Sequence, residues 1–147
     1  MNQIFNFILL GFIGPQEIIV ILIISSFSVI PLIFYLLTLQ NTFNAISVEN
    51  RKMQSGEVWL SLIPLFGLVW QFIIVSRLAD SLKAEFDAKN IKVDEERPGI
   101  GIGLAYCILF CCSIIPFVNF LTGIGGIICW IIYWSKINNY RIKLKQI

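Results

Sequence analysis

The residue types that carry acid–base, nucleophilic or metal chemistry are sparse in this chain. It contains no histidine and therefore lacks both the commonest physiological general base and the commonest metal ligand. Its four cysteines all lie inside apolar runs, where Cys107 and Cys111 are four residues apart and share one face of a helix. Two interpretations of this pair stay open: a soft-metal site of the kind that holds copper(I), or thiols that pack as small hydrophobic groups. Because no methionine or histidine is nearby to complete a ligand set, packing is the preferred interpretation and no cofactor is expected.

One run of acids, Asp94-Glu95-Glu96, lies in a hydrophilic stretch. Adjacent carboxylates suit a divalent cation, but the neighbouring sequence supplies no further coordination cage, so a solvated loop is the preferred interpretation. Covalent catalysis requires a nucleophile and an activating base, and no histidine-containing set can be assembled. We therefore predict a non-enzymatic protein with no catalytic, cofactor-binding or metal-binding residues.

The composition is that of an integral membrane protein. Of the 147 residues, 57% are hydrophobic and 14% are charged, whereas about a quarter of the residues in a soluble domain are charged. The net charge of +2 is too small to indicate a nucleic-acid partner.

Uncharged runs divide the chain into four candidate spans. The first contains 22 residues, which as a helix extend about 33 Å and suffice to cross a bilayer. We predict an all-α membrane protein with four transmembrane helices in two hairpins, the first two helices extending beyond the bilayer. The four-helix domain covers residues 15–147, after an interfacial segment of residues 1–14. The predicted spans are residues 18–39, 58–75, 99–115 and 117–134.

Small residues at the start of the third run form two overlapping pairs with four-residue spacing, Gly99 with Gly103 and Gly101 with Ala105. Such a face lets two helix backbones approach closely, so it is predicted to be a helix-packing face. A dinucleotide-binding loop is excluded because the βαβ context that such a loop requires is missing.

The charged segment after the second run carries an apolar stripe. Leu78, Leu82 and Phe86 repeat every four residues and therefore share one face of a helix. We predict that residues 76–98 form a cytoplasmic connection and that this stripe faces a partner protein.

The chain ends in a basic tail, residues 135–147, directly after an aromatic cluster. Such a tail is typical of a helix lying on an anionic membrane surface. The predicted contacts with anionic lipid are Lys136, Arg141, Lys143 and Lys145.

The distribution of basic residues predicts the orientation. Nine of them lie in residues 76–98 and in the tail, whereas the connection after the first run holds only Arg51 and Lys52. Positive charge concentrates in cytoplasmic loops, so both termini of a multi-pass inner-membrane protein are predicted to be cytoplasmic.

Two resemblances accompany these patterns. The stretch GPQEIIVILI, Gly14–Ile23, resembles the start of the single-span subunits of the twin-arginine translocase, which open with a glycine–proline turn, a glutamate and an aliphatic helix. That resemblance implies an amino terminus outside the cytoplasm, opposite to the count of basic residues. The Phe-Gly hinge and basic amphipathic helix of that family do not follow here, so no translocase function is carried over.

The whole layout looks like small bacterial four-span inner-membrane families of unknown function. An Ile-Pro-apolar triplet, a tryptophan and a basic exit occur in that order twice, beginning at Ile63-Pro64-Leu65 and at Ile115-Pro116-Phe117. The resemblance implies fold and location and carries no functional residues.

Two functions remain. The first is a non-enzymatic scaffold or accessory subunit of a membrane complex, because the four runs contain none of the charged residues that ion and proton pathways normally need. The alternative is a small oligomeric channel or transport component, with a pore lined by Ser25, Ser26, Gln71 and Asn119. The expected partners are membrane lipids and either a second copy or another membrane protein.

Overall fold

The computed structural model describes residues 14–146, without the side chains of residues 15, 21 and 24–28 of the first helix. Within residues 14–146 every regular element is helical, which confirms the all-α part of the predicted fold class. The predicted interfacial segment lies, apart from Gly14, outside the described residues. The elements are α1 (Pro15–Ala45), a 3-10 helix (Ser55–Leu62), α2 (Phe66–Ala88), α3 (Ile100–Cys112) and α4 (Asn119–Lys145).

The chain divides into two compact units, Met1–Tyr35 and Leu36–Ile147. In the first unit, α1 begins at a turn in which the Gly14 carbonyl accepts hydrogen bonds from the backbone N–H groups of Glu17 and Ile18, at 3.0 and 3.2 Å. The Glu17 carboxylate accepts a hydrogen bond from the Gly14 N–H and places negative charge at the positive end of the helix dipole. Aliphatic side chains that follow, such as Ile19 and Ile23, are exposed.

The second unit contains a hairpin made by the 3-10 helix and α2. The chain leaves Leu62, turns at Ile63–Leu65 and returns as α2, which packs along the 3-10 helix. The Trp70 indole N–H donates a hydrogen bond of 2.8 Å to the Glu57 carbonyl and holds the two arms together. The single helix predicted over residues 58–75 is therefore corrected to a hairpin, because Pro64 falls at its turn and ends the first arm.

Close approach at the tip of this hairpin requires a glycine. A Cβ atom at Gly67 would lie 2.0 Å from the Ser61 carbonyl oxygen, so no side chain fits there. Leu65, just before α2, has a φ of 64°, in the left-handed region that branched side chains rarely adopt. Both features belong to a chain that reverses direction within a few residues.

Helices α3 and α4 form a second hairpin, turning at residues 113–118. A Cβ built at Gly99 would lie 3.3 Å from Ile137, and one built at Gly126 would lie 3.5 Å from Leu109, so the two helices are antiparallel. Helix α3 also packs on α2, where the Tyr106 hydroxyl donates a hydrogen bond of 2.9 Å to the Gln71 side chain. The turns of both hairpins therefore point in the same direction.

The two Ile-Pro-apolar triplets lie at equivalent places in this architecture. Ile63-Pro64-Leu65 forms the turn of the first hairpin and Ile115-Pro116-Phe117 lies in the turn of the second. The side chains at these turns are exposed, and Phe117 is 98% exposed. Their recurrence in the sequence thus marks two reversals of the chain.

The buried core lies at the other end of the second unit. It combines the end of α1, the second half of α2 and the end of α4. Its largest fully buried side chains include Phe43, Ile46, Leu78, Leu82, Phe86 and Ile137. The Phe86 and Tyr140 rings meet edge to face with centroids 5.7 Å apart, which joins α2 to α4.

Among the described helices, Asn119–Lys145 is the one that is long and apolar enough to cross a membrane, by length and composition. The apolar helix α3, Ile100–Cys112, is shorter than that test requires, as is the stretch Val29–Ala45 of α1 that follows the undescribed side chains. The predicted third span is thus a helix of 13 residues, about 20 Å long. The fourth is continuous with the basic tail.

The predicted small-residue face divides into packed and open positions. Gly99 and Gly103 face α4, and Gly103 also faces α2, whereas a Cβ at Gly101 would meet nothing within 4 Å. Ala105 is half-buried. Only alternate members of the predicted face therefore lie between helices.

Substitution of Gly103 tests this packing. A Cβ there would lie 2.5 Å from Val75 Cγ1 and 2.8 Å from Tyr133 Cε2, so Gly103→Ala forces two buried side chains to move. We expect a loss of about 1–3 kcal/mol of stability, measured as a lower melting temperature of the detergent-purified protein. Gly101→Ala is the matched control and should leave stability unchanged or raise it by up to about 1 kcal/mol, because alanine is the better helix former. Equal melting temperatures for the two variants would contradict the packing described.

Candidate functional site: a charged layer at one end

Charged side chains of the second unit gather at the end opposite the two hairpin turns. We call this region the charged layer. All eleven lysine and arginine residues of the chain lie in it. It consists of the first connection (residues 46–54), residues 77–88 of α2, the second connection (residues 89–99) and residues 135–145 of α4.

Glu85 fastens the first connection to α2. Its side chain is 1% exposed, and its two oxygens accept hydrogen bonds from the Ser47 hydroxyl (2.9 Å), the Ser47 backbone N–H (3.1 Å) and the Asn50 amide (2.8 Å). Lys89, one helical turn later, lies 3.3 Å from the same carboxylate. Burial opposes ionisation of Glu85, but the bonds from Asn50 and Ser47 outweigh it and hold the pKa below its ordinary value.

Two further bonds hold the same connection higher on α2. The Ser81 hydroxyl accepts a hydrogen bond of 2.9 Å from the Lys52 backbone N–H and donates one of 2.6 Å to the Arg77 carbonyl. The Arg77 guanidinium donates to the Lys52 carbonyl at 3.0 Å. Backbone groups of Ser47 and Lys52 therefore bond to side chains on one face of α2.

The second connection is tied to α2 by ion pairs. The guanidinium of Arg97 lies 2.7 Å from the Asp80 carboxylate, and Lys83 lies 3.4 Å from Glu96. The connection begins at a helix end of the Schellman type: Asn90 has a φ of 53°, and the Ile91 N–H donates to the Phe86 carbonyl at 2.8 Å. This geometry turns the chain back across α2.

Glu95 joins the second connection to α4. It pairs with Lys136 and accepts a hydrogen bond of 2.6 Å from the Gly99 backbone N–H. The bond from Lys136, with that from Gly99, holds the pKa of Glu95 below its ordinary value. The second connection and the start of the tail thus lie at one end of the unit.

The predicted partner-facing stripe is corrected by this geometry. Leu78, Leu82 and Phe86 are buried, with exposures of 0%, 0% and 2%. Both connections fold back along α2, and Tyr140 of α4 packs on Phe86. The fourfold spacing correctly indicated an apolar helix face, but that face belongs to the chain's own core.

The predicted lipid-contact residues of the tail differ in their surroundings. Lys136 is engaged with Glu95, Arg141 is half-buried, and Lys143 and Lys145 are exposed. Helix α4 runs unbroken through all four, so the tail continues the apolar helix instead of forming a separate one.

The first connection lies at the same end as the second, and this revises the count of basic residues. Lys52 contacts Arg77 and Ser81, which are on the charged half of α2. Arg51 and Lys52 therefore belong with the other nine basic residues. The predicted separation, with two basic residues on one side and nine on the other, depended on residues 58–75 being one continuous helix.

The candidate metal-binding residues do not converge. All four cysteines are free thiols, and no group of three or more Cys, Asp or Glu side chains in residues 14–146 is arranged to hold a metal ion. Glu95 and Glu96, from the acidic run, instead pair with separate lysines on different helices. Where acidic and basic side chains of residues 14–146 are in contact, they form ion pairs that join segments of the fold.

Sequence reasoning missed the role of Glu85 and of its partners Ser47 and Asn50. Nothing local links them, because the partners are 38 and 35 residues away along the chain. A glutamate within the buried stripe, one residue before Phe86, was the available signal, since a buried carboxylate requires hydrogen-bond donors.

Comparison of the chain with family models, with curated proteins and with solved structures finds no match.

Replacement of Glu85 tests whether it holds the charged layer together. Glu85→Gln removes the charge that three donors and Lys89 face, so we expect a loss of about 2 kcal/mol of stability, seen as a lower melting temperature at pH 7. Glu96→Gln is the matched control, because Glu96 makes one ion pair and its side chain is 89% exposed. Its effect should stay below about 1 kcal/mol.

The same pair of variants gives a pH dependence. Because the pKa of Glu85 is lower in the folded chain, its contribution is fully present above the ordinary value of 4.5 and is lost as pH falls through the folded-state pKa. The stability difference between wild type and Glu85→Gln should therefore shrink on acidification below that value. A difference that stays constant down to the lowest pH at which the protein folds would contradict this assignment.

Proposed function

We propose that this chain is an integral membrane protein whose charged layer lies at the cytoplasmic face and whose hairpins enter the lipid from that face. Within the membrane it serves as a non-enzymatic scaffold or accessory subunit. The observation that carries the proposal is the separation along the second unit: the basic residues gather at one end and the turns at the other end expose large apolar side chains.

The exposed turns favour a lipid environment. Leu65, Phe117, Phe120 and Leu121 are each at least 79% exposed, and they lie in or next to the two turns, which point the same way. Water-soluble proteins rarely leave an apolar surface of this kind uncovered. Hydrocarbon is the occupant that matches both its chemistry and its position opposite the charges.

Helix lengths indicate how deep each hairpin reaches. From Phe66 to Ser76, α2 rises about 16 Å, and the eight-residue 3-10 helix rises about as much. Since a hydrocarbon core is about 30 Å thick, the first hairpin reaches roughly its middle. From Asn119 to Trp134, α4 rises about 24 Å, so the second hairpin reaches further. Residues 18–39, at about 33 Å, have the length of a full crossing. Helix α4 as a whole is also long enough, but its residues 135–145 belong to the charged layer.

This geometry changes the proposed orientation of the amino terminus. Eleven basic residues at one end favour the cytoplasm for the charged layer and the carboxyl terminus. Each hairpin returns to the face from which it enters, so one crossing by residues 18–39 leaves the amino terminus on the opposite face. The resemblance to the translocase subunits implies the same orientation. We propose an inner-membrane location with opposed termini, in place of the two cytoplasmic termini expected from four crossings.

The polar contacts favour the scaffold over the channel. Gln71, one of the expected pore-lining residues, is bonded to Tyr106 between α2 and α3. Asn119 is exposed next to a hairpin turn, and the side chains of Ser25 and Ser26 are not among those that the structure describes. Within the charged layer, carboxylates bind the two connections to the helices. This role favours a rigid binding surface over a catalytic site.

Cysteine labelling tests the orientation. In a background without the native cysteines, Lys52→Cys, Lys92→Cys and Lys143→Cys should all react with a membrane-impermeant maleimide from the cytoplasmic side. Gln16→Cys should react from the other side. Four complete crossings require instead that Lys52→Cys and Lys92→Cys label from opposite sides, and that outcome would exclude the hairpin arrangement.

Purification in mild detergent tests the scaffold role. We expect a second integral membrane protein to be isolated at a fixed ratio, and a photo-crosslinking amino acid at exposed Asp87 or Lys92 to capture it. The same amino acid at buried Leu82 is the control and should capture nothing. A strictly monomeric protein that is never crosslinked, or solute flux through liposomes containing the chain alone, would count against a scaffold.

A further inference from the structure

An open cavity of about 290 Å³ lies where the first connection meets α2. Its charged lining consists of Arg51, Lys52 and Arg77, with Glu57 as the one carboxylate among the lining residues. Three cations around one recess create a site for an anion unless carboxylates elsewhere neutralise them.

No such neutralisation is found among the described residues. Lys83, Lys89, Arg97 and Lys136 are each within 4 Å of a carboxylate, whereas the three cations of the cavity form no ion pair within residues 14–146. Their hydrogen bonds go to neutral carbonyls: Arg51 to Ile46 at 3.0 Å and Arg77 to Lys52 at 3.0 Å.

The Arg51 side chain also carries an unsatisfied donor. Its Nε atom is buried and has no hydrogen-bond partner in the described part of the chain. A buried donor without an acceptor is unfavourable, so a bound anion that reaches it would stabilise the site. The remaining N–H groups of the two guanidinium groups are suited to the oxygens of a phosphate, which they can bind in pairs.

The position of the cavity indicates where such a phosphate would come from. Arg77 is the first charged residue after the apolar part of α2, so the cavity lies at the boundary between the apolar surface and the charged layer. Trp59, two residues after Glu57 of the cavity lining, lies near the same boundary, and its indole N–H bonds to the Gln40 side chain. Tryptophans of this kind mark the headgroup level of a membrane protein.

We propose that the cavity formed by Arg51, Lys52 and Arg77 binds a phosphate group, supplied by the headgroup of an anionic phospholipid. The phosphate chemistry stands on the cavity alone, and the lipid source rests on the membrane location proposed above. The site is distinct from the tail residues Lys143 and Lys145, which project from the last turn of α4. It would hold one lipid at a fixed place beside the first hairpin.

The test uses the whole chain purified in detergent and titrated with phosphatidylglycerol, phosphatidylcholine or inorganic phosphate, with bound molecules counted by native mass spectrometry. We expect one phosphatidylglycerol to be retained more strongly than phosphatidylcholine. Arg51→Gln/Lys52→Gln/Arg77→Gln should weaken its apparent affinity by roughly tenfold or more. The matched control, Lys92→Gln/Lys143→Gln/Lys145→Gln, removes the same number of charges outside the cavity and should keep that retention.

Glu57→Gln provides a second test that does not depend on whether the triple variant folds. It removes the one carboxylate of the cavity lining, and we expect it to tighten retention of phosphatidylglycerol by a few-fold. Equal retention by wild type, the cavity variant and Glu57→Gln would overturn the site. Inorganic phosphate bound as tightly as phosphatidylglycerol would uphold the phosphate site and overturn its lipid source. Binding in detergent does not depend on orientation, so this result and the cysteine labelling fail independently.

Discussion

The attachment of the first connection to α2 is the constraint on which the rest of the second unit depends. Glu85 remains ionised at 1% exposure because Ser47 and Asn50 supply donors beside Lys89. The donors from Ser47 and Asn50 reach it only if the chain folds back along the charged half of α2. Once it does, the following segment must run towards the hairpin turn and return. The direction of the first hairpin, the burial of Leu82 and the position of Arg51 and Lys52 all follow.

Contacts between charged side chains also join the segments on the other side of α2. Asp80 and Lys83 bind the second connection, and Glu95 of that connection binds α4. The charged residues therefore form ion pairs that link segments with little apolar surface of their own. Exposed ion pairs contribute little individually, so the cohesion of this end comes mainly from the buried core around Phe43, Phe86 and Ile137.

Much of the helical content could be predicted from the sequence, because long apolar runs and a fourfold stripe leave few other structures. The division at Pro64 could not, since residues 58–75 have the length and composition of a complete span. Whether Pro64 kinks one helix or separates two arms depends on contacts between the arms, such as the bond of Trp70 to Glu57, and periodicity does not record them. The stripe shows the same limit: spacing reveals that Leu78 and Leu82 are covered, and only the fold reveals what covers them. The small-residue pattern was informative at Gly103 and uninformative at Gly101, because both satisfy the spacing and only one faces a neighbour.

The hydrogen bond between Trp70 and Glu57 has a kinetic consequence. It closes a loop of 13 residues, whereas the bonds of Glu85 to Ser47 join residues 38 apart. Loop-closure entropy rises with the length of the loop, and contacts close in sequence form sooner than distant ones. We therefore expect the reversal at Ile63–Leu65 to form while the ends of the unit are still separate. The hydrogen bonds between the Glu85 carboxylate and the first connection are then expected to form later, after the first hairpin.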